Sequence, residues 1–404
     1  MPPPGLSRRL PNGASPSNVE CIDMNTAYWR LIPAAALVFV IFLFTGHAPA
    51  RSEERRLAER DYIDVHMHLI GAPGRGDARE SRRPPPGGGE PQGHGGTAKN
   101  YDGSADNLVA VMDRLGIQKA IVMPPPQSPN QRGGYTYRDL LGAIRSHPGR
   151  LLLGAGGGEL SPILVGTDSA DVTPAIRSEF ERKAREIVRD GARVFGEMAI
   201  LHFSFQQGHV FHQTPPDHPL YLLLADIAAR HGIPIDLHWE AVPLDQSTPK
   251  ALIERSSNNP LRISATIPGL ERLLAHNRGA KVVLVHVGWD NTGHQTVELL
   301  RRLLAAHPNL FCGLKFVRQR YEPFGRGNKM ADENLRIRSE WVRLIADFPD
   351  RFVGGADEFI TPGENSGRRG PPSFEDTWSV IGQLPADLRA KVGRENAARI
   401  YGLE

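Results

Sequence analysis

Two cysteines in 404 residues, Cys21 and Cys312, are too few to staple a fold together. A formal net charge of +3 leaves no clustered basic field, which excludes nucleic acid and anionic membrane as the main partners. No short-period repeat runs through the chain, so a solenoid is excluded. The longest apolar run, Leu31 to Phe44, has 14 residues, short of the roughly 20 that a spanning helix needs. Two histidines end the first strand-like run where the Gly-rich phosphate turn would begin, which argues against the dinucleotide-binding form of an open doubly wound sheet.

The N-terminus has the grammar of an address. Arg30 precedes "LIPAAALVFVIFLF", and "TGHAPA" sets Ala48 and Ala50 in signal-peptidase spacing. We therefore expect a signal peptide over 24–50, starting at Met24, after a non-native or disordered extension over 1–23 and before a linker over 51–60. The product would be exported, periplasmic or secreted. The alternative keeps residues 31–44 as an uncleaved anchor. Cleavage would leave Cys312 alone, without an intrachain disulfide, and "NLFCGLKF" makes it a small buried residue of a strand.

From Asp61 to Glu404 short apolar runs alternate with amphipathic ones. "YIDVHMH", "KAIVMP", "LLLGAG", "ARVFGEM", "IPIDLHW", "KVVLVHVG", "NLFCGLKF" and "RFVGGADE" are eight strand-like runs. Segments such as "RSEFERKAREIVRDG" and "TVELLRRLLAAHP" carry apolar residues at three- and four-residue spacing between them. Eight such units predict an α/β fold, a (β/α)8 TIM barrel forming one catalytic domain over 61–404. Long loops are inserted after strands one and four. The first, 71–103, contains "RRPPPGGGEPQGHGG" and is too rich in Pro and Gly to pack. The second, "ILHFSFQQGHVFHQTPPDHP", mixes aromatics with histidines. In a barrel both lie at the C-terminal mouth, where substrates bind.

The barrel sorts the fifteen histidines. His147, His231, His276 and His307 each end a helix and belong to the bottom rim, where helix C-termini favour them. His66, His68, His238 and His286 end strands one, five and six, at the mouth. His66 and His68, two apart on a strand, project together. Strand four ends near Glu197 and strand eight near Asp357. Four imidazoles and two carboxylates converging on one mouth point to a metal site, because burying them without an ion would carry a heavy desolvation cost.

With these residues in place the chain resembles the amidohydrolase superfamily, in its branch of amidohydrolase-related metal-dependent hydrolases and decarboxylases. "DVHMH" is similar to the first-strand H-x-H, "IDLHW" and "VLVHVGW" to the histidines of strands five and six, and "VGGADE" to the eighth-strand Asp. "ENAARIYGL" is similar to the closing helix. The resemblance implies a divalent ion, usually zinc, on His66, His68, His238 and Asp357, with His286 beside the attacking water. In two-metal members a strand-four group bridges the ions, and Glu197 stands at that place, so one ion and two are both open. Such an ion lowers the pKa of bound water toward about 7 and polarises a carbonyl. Asp357 would shuttle the proton and His286 would stabilise the oxyanion.

The expected reaction is hydrolysis of a C–N or C–O bond in an amide, lactone or ester of a small organic substrate. The alternative is non-oxidative decarboxylation of an aromatic or unsaturated acid, which would want a fixed cation: Lys315, Arg318, Arg320 or Arg326. Trp239, Trp289, Phe203, Phe205 and Phe211 are candidates to line the substrate pocket. The partner is a small molecule, with no nucleic acid and no membrane after signal cleavage, and a homo-oligomer is left open.

Overall fold

In the computed structural model, residues 61–71, 100–131, 133–205, 209–318, 328–363 and 373–403 are described. The expected extension 1–23, signal 24–50, linker 51–60 and residues 72–99 of the first insertion lie outside them, with Cys21, Arg320 and Arg326. Among the described residues no helix is long and apolar enough to cross a membrane.

The strand-like runs form β1 (Tyr62–Leu69), β2 (Ile117–Val122), β3 (Leu151–Leu153), β4 (Ala155–Gly156) and β5 (Phe195–Ala199). There follow β6 (Leu201–His202), β7 (His212–Gln213), β8 (Ile235–His238), β9 (Gln246–Ser247) and β10 (Arg262–Ile263). The last are β11 (Val282–Val287), β12 (Leu310–Leu314), β13 (Phe352–Gly354) and β14 (Glu358–Ile360). Two parallel ladders run β14-β1-β2-β3 and β13-β12-β11-β8-β5-β4. They meet through two interrupted strands. At Gly154 the third strand breaks, yet Gly154 N–H donates to Val122 O at 2.9 Å and Ala155 N–H to Val194 O at 3.1 Å, one to each side. In the eighth, Gly355 N–H donates to Leu314 O at 3.1 Å and Asp357 N–H to His66 O at 2.8 Å. Eight strand positions thus complete the circuit of the (β/α)8 TIM barrel.

A helix follows each strand position, and local chemistry sets its ends. Pro174–Arg189 begins with Thr173, whose side chain accepts from Ile176 N–H, and with Pro in the first turn; it buries Phe180, Ala184 and Ile187 at helical spacing. Pro219–His231 ends at Gly232, held at φ 68°, the left-handed cap that glycine adopts without steric cost.

Two layers of core result. Tyr62, Met67 and Leu69 of β1 belong to the large cluster that includes the helices' apolar faces. Ile63 and Val65 belong to a smaller one with Val283, Val285, Phe311 and the C-terminal Ile400, Tyr401 and Leu403. The closing segment therefore plugs the barrel floor, and each such aliphatic side chain contributes about 1.5–3 kcal/mol by leaving water. Cys312 is buried and free, as expected of a strand residue, with burial pushing its thiol pKa up.

Strict alternation would put Val65 and His66 on opposite faces, yet both point inward. The ladder explains it: Asp64 pairs with Ala120 and Met67 with Val122, so β1 carries one residue more than β2 between these pairs. The same one-residue bulge recurs at Glu197, between Phe195 and Met198 opposite Ile235 and Leu237. It recurs again at His286, between Leu284 and Val287 opposite Cys312 and Leu314. Three strands thus change parity at the residue that faces the mouth, the usual service of a bulge beside an active site.

Candidate metal centre

Each mouth residue is fixed from below. Asp64, fully buried, accepts from His66 N–H (3.0 Å), from Ala356 N–H (3.1 Å) and from the Trp378 indole (2.8 Å), tying strand one to strand eight beneath the site. Asp357 sits between β13 and β14 at φ 48° and His286 at φ 62°, both in the left-handed region, where Asp and His are among the side chains most often found. Such backbone costs of order 1–3 kcal/mol and persists at functional sites. Gly288 follows His286 at φ 103°, and a Cβ there would lie 2.8 Å from Lys315 O, so the chain passes strand seven only as glycine.

The ligand-type atoms form two close sets, His66/His68/Asp357 and His66/Glu197/His286, each with all its atoms within 4.8 Å of one another. His66 Nε2 and His68 Nε2 are 3.2 Å apart, and His68 Nε2 is 3.1 Å from Asp357 Oδ1. Glu197 Oε2 lies 3.4 Å from His68 Nε2 and 3.6 Å from His66 Nε2. His286 Nε2 is 3.0 Å from Asp357 Oδ2. His68 Nδ1 is hydrogen-bonded to Met123 O at 2.8 Å, so Nδ1 carries the proton and Nε2 presents its lone pair.

His238 is the expected ligand that neither set includes. Its Nδ1 donates to Glu197 Oε1 at 2.7 Å, leaving it a step behind the carboxylate. Two of the expected substrate cations are also spoken for. Lys315, almost fully buried, is ion-paired with Asp357, and Arg318 grips Asp376 through two bonds of 2.8 and 3.1 Å. Trp239 is buried in the core, whereas Trp289 stacks on Phe205 with its ring 6.0 Å from His286. Phe203 is buried in the core with Phe211 packed partly against it. His147 and His276 stay at the far rim, paired with Asp106 and Asp226 rather than with helix carbonyls.

The electrostatics follow the contacts. Burial alone would raise Glu197, but hydrogen bonds from His238, His66 and His68 hold its pKa well below the ordinary carboxylate range. Burial would likewise raise Asp357, but the Lys315 charge and the neighbouring imidazoles hold it well below as well. Burial drags His286 down to about 3, so its imidazole is neutral. For His66 burial opposes the charge, yet Asp236, Glu197 and Asp357 together raise it to about 10. Two buried anions held ionised, beside the Nε2 atoms of His66 and His68 and a buried His286 Nε2 without a hydrogen bond, are a donor set that fits a divalent cation.

The Amidohydrolase family model matches residues 63–403. The chain belongs to the amidohydrolase family. Amidohydrolases generally use a divalent metal, in keeping with the two His/Glu/Asp sets at the mouth. No curated protein matches the chain. Among solved structures it is similar to an uncharacterized TIM-barrel protein from Bordetella bronchiseptica, with 13% identity over 85% of this chain and 99% of that one and a TM-score of 0.47. It is also similar to a dihydroorotase from Campylobacter jejuni, with 14% identity, 85% and 84% coverage and a TM-score of 0.43. A 2,6-dihydroxybenzoate decarboxylase gives 15% identity, 85% and 99% coverage and a TM-score of 0.41. These likenesses concern the fold and leave the reaction of this amidohydrolase open.

One participant escaped the sequence reading although it stands inside the quoted "IDLHW". Asp236 is fully buried, its Oδ2 lies 3.7 Å from His66 Nδ1, and its Oδ1 accepts from Tyr401 Oη at 2.9 Å. An acid in the middle of an apolar strand was the available signal. A carboxylate behind a ligating imidazole fixes its tautomer and ring orientation, and its loss commonly costs 10- to 100-fold in metal affinity. Asp236→Asn is therefore expected to weaken divalent-metal binding by about that factor and Tyr401→Phe by less, read by competition against a chelator. Unchanged metal affinity in Asp236→Asn would refute the assignment.

Proposed function

We propose that this amidohydrolase is a metal-dependent hydrolase that cleaves a C–N or C–O bond of a small amide, lactone or ester, with zinc as its ion. The observation that carries this reading is Asp357: one buried carboxylate within 3.1 Å of His68 Nε2, 3.0 Å of His286 Nε2, and ion-paired with Lys315. His66, His68 and Asp357 would hold one ion; Glu197 and His286 would offer ligands to a second, which the single lone pair of His66 Nε2 could not serve at the same time. Bound there, a divalent ion supplies Lewis acidity and makes water acidic enough to ionise near neutral pH.

The remaining work falls to side chains. Asp357, kept ionised by Lys315, takes the proton of the attacking water and delivers it to the leaving nitrogen or oxygen. Neutral His286, aimed at the same point, donates to the oxygen that gains charge. Lys315 also lies 4.6 Å from the Trp289 ring centre, which holds its ammonium against the mouth wall.

Decarboxylation is the weaker reading because, among the described residues, the candidate cations Lys315 and Arg318 both serve internal carboxylates. Metal analysis of protein purified without chelator, alongside turnover on a panel of esters, lactones and amides, tests the proposal. About one ion per chain supports the single site and two support a Glu197 bridge. No bound metal, or release of carbon dioxide from acids with no hydrolysis, would overturn it.

A further inference from the structure

The hairpin after strand four brings together histidines that the metal centre does not use. β6 and β7 pair antiparallel with His202 opposite His212. The His202 ring centre lies 4.6 Å from that of His238, 4.8 Å from that of His209 and 5.7 Å from that of His212. His212 is only 1% exposed, yet neither ring nitrogen has a hydrogen-bond partner, and His202 Nδ1 is buried and equally without one. Leaving such groups unpaired costs about 1–3 kcal/mol each, so packing alone does not account for imidazoles here. The same position filled by an apolar ring would pack without that cost.

Hydrogen bonds tie the hairpin to the segment around Asn259. Ser204 N–H donates to Asn259 Oδ1 at 2.8 Å, Asn259 returns a bond of 2.9 Å to Ser204 O, and Asn258 donates to His209 O at 2.8 Å. His209 Nδ1 accepts from Phe205 N–H at 3.0 Å, so in the neutral ring the proton sits on Nε2 as a donor. Phe205 in turn stacks on Trp289, whose Nε1 is also unpaired. Fixed N–H donors beside an apolar wall, one ring away from His238, are complementary to an acceptor-rich group on a planar body.

We propose that His202, His209 and His212 form a subsite that binds the carboxylate of the substrate, with its apolar body against Phe205 and Trp289. The proposal rests on the metal centre being the reacting centre. A second ion is the competing occupant, but His209 Nδ1 already accepts a bond, and among the described residues these rings join no close set of ligand atoms. The role left open by the paired Lys315 and Arg318 thus passes to the hairpin histidines.

The full-length zinc-loaded protein is titrated with benzoate and with benzamide by calorimetry, as wild type and as His209→Ala and His212→Gln. Benzoate should bind the wild type about tenfold or more tightly than benzamide, and each variant should lose about tenfold for benzoate alone, at unchanged zinc content. Benzoate affinity unchanged from wild type in both variants would place the carboxylate on the ion and overturn the subsite. So would a wild type that holds zinc but binds no benzoate, or loss of zinc from both variants, which would make these rings metal supports. Zinc is counted on the same samples: a wild type without zinc whose benzoate binding still falls in the variants sinks the hydrolase reading and keeps the subsite.

Discussion

Asp357→Asn is expected to lower turnover by about 10²- to 10⁴-fold, the usual contribution of a positioned general base. Asn keeps the shape, and it tolerates the left-handed φ of 48° as Asp does, so the backbone that donates to His66 O need not move. What it cannot do is take a proton. The same change also strands Lys315, a side chain almost fully buried with its ammonium against Asp357. Breaking a buried pair from one side commonly costs about 3–5 kcal/mol, so the single variant should melt earlier as well. The double variant Asp357→Asn/Lys315→Met separates the two effects: stability should largely return while activity stays lost. Turnover on any ester or lactone that the wild type hydrolyses, with a thermal melt of each protein, is the measurement. Activity within tenfold of wild type in the folded single variant would remove Asp357 as the base.

Much of this site was legible because its residues sit at strand ends, and strand ends are the easiest places to recognise in an alternating α/β chain. Val65-His66 and Val285-His286 mark where legibility stopped. Nothing in either pair announces the extra residue that turns both side chains inward, because a bulge is a property of two strands and only one is visible in a local stretch. Lys315 is a second case. Alone in "NLFCGLKF" it invites a substrate carboxylate, while its actual partner, Asp357, comes from the next strand over. Asp236 is a third: it reaches its meaning only between His66 above and Tyr401 below, groups contributed by the first strand and the last helix. His238 stands beside His286, but a bond of 2.7 Å to Glu197 decides what its ring presents, and strand order does not specify that bond.

Zinc should stabilise the fold by about 2.7 kcal/mol at a free concentration one hundred times its Kd, and by more as the pH rises. In the metal-free protein the carboxylates of Asp236, Glu197 and Asp357 near His66 outweigh its burial and raise its pKa to about 10 from an ordinary 6.5. A raised folded-state pKa means that this contribution is fully present below about 6.5 and is lost as pH climbs through about 10. Glu197 and Asp357 act in the opposite sense. Their depressed pKa values give stability that is present above the ordinary carboxylate range and fails as the medium turns acid. The metal-free protein is therefore most stable at mildly acid to neutral pH and weakens on both sides. An ion replaces the His66 proton, so its binding strengthens where that proton is leaving, and the alkaline limb of the stability curve should flatten. Thermal melts with zinc and with chelator at about pH 6 and about pH 8 read this directly. A zinc effect that is nil, or that shrinks between the two, would mean that His66 does not yield its place to a metal.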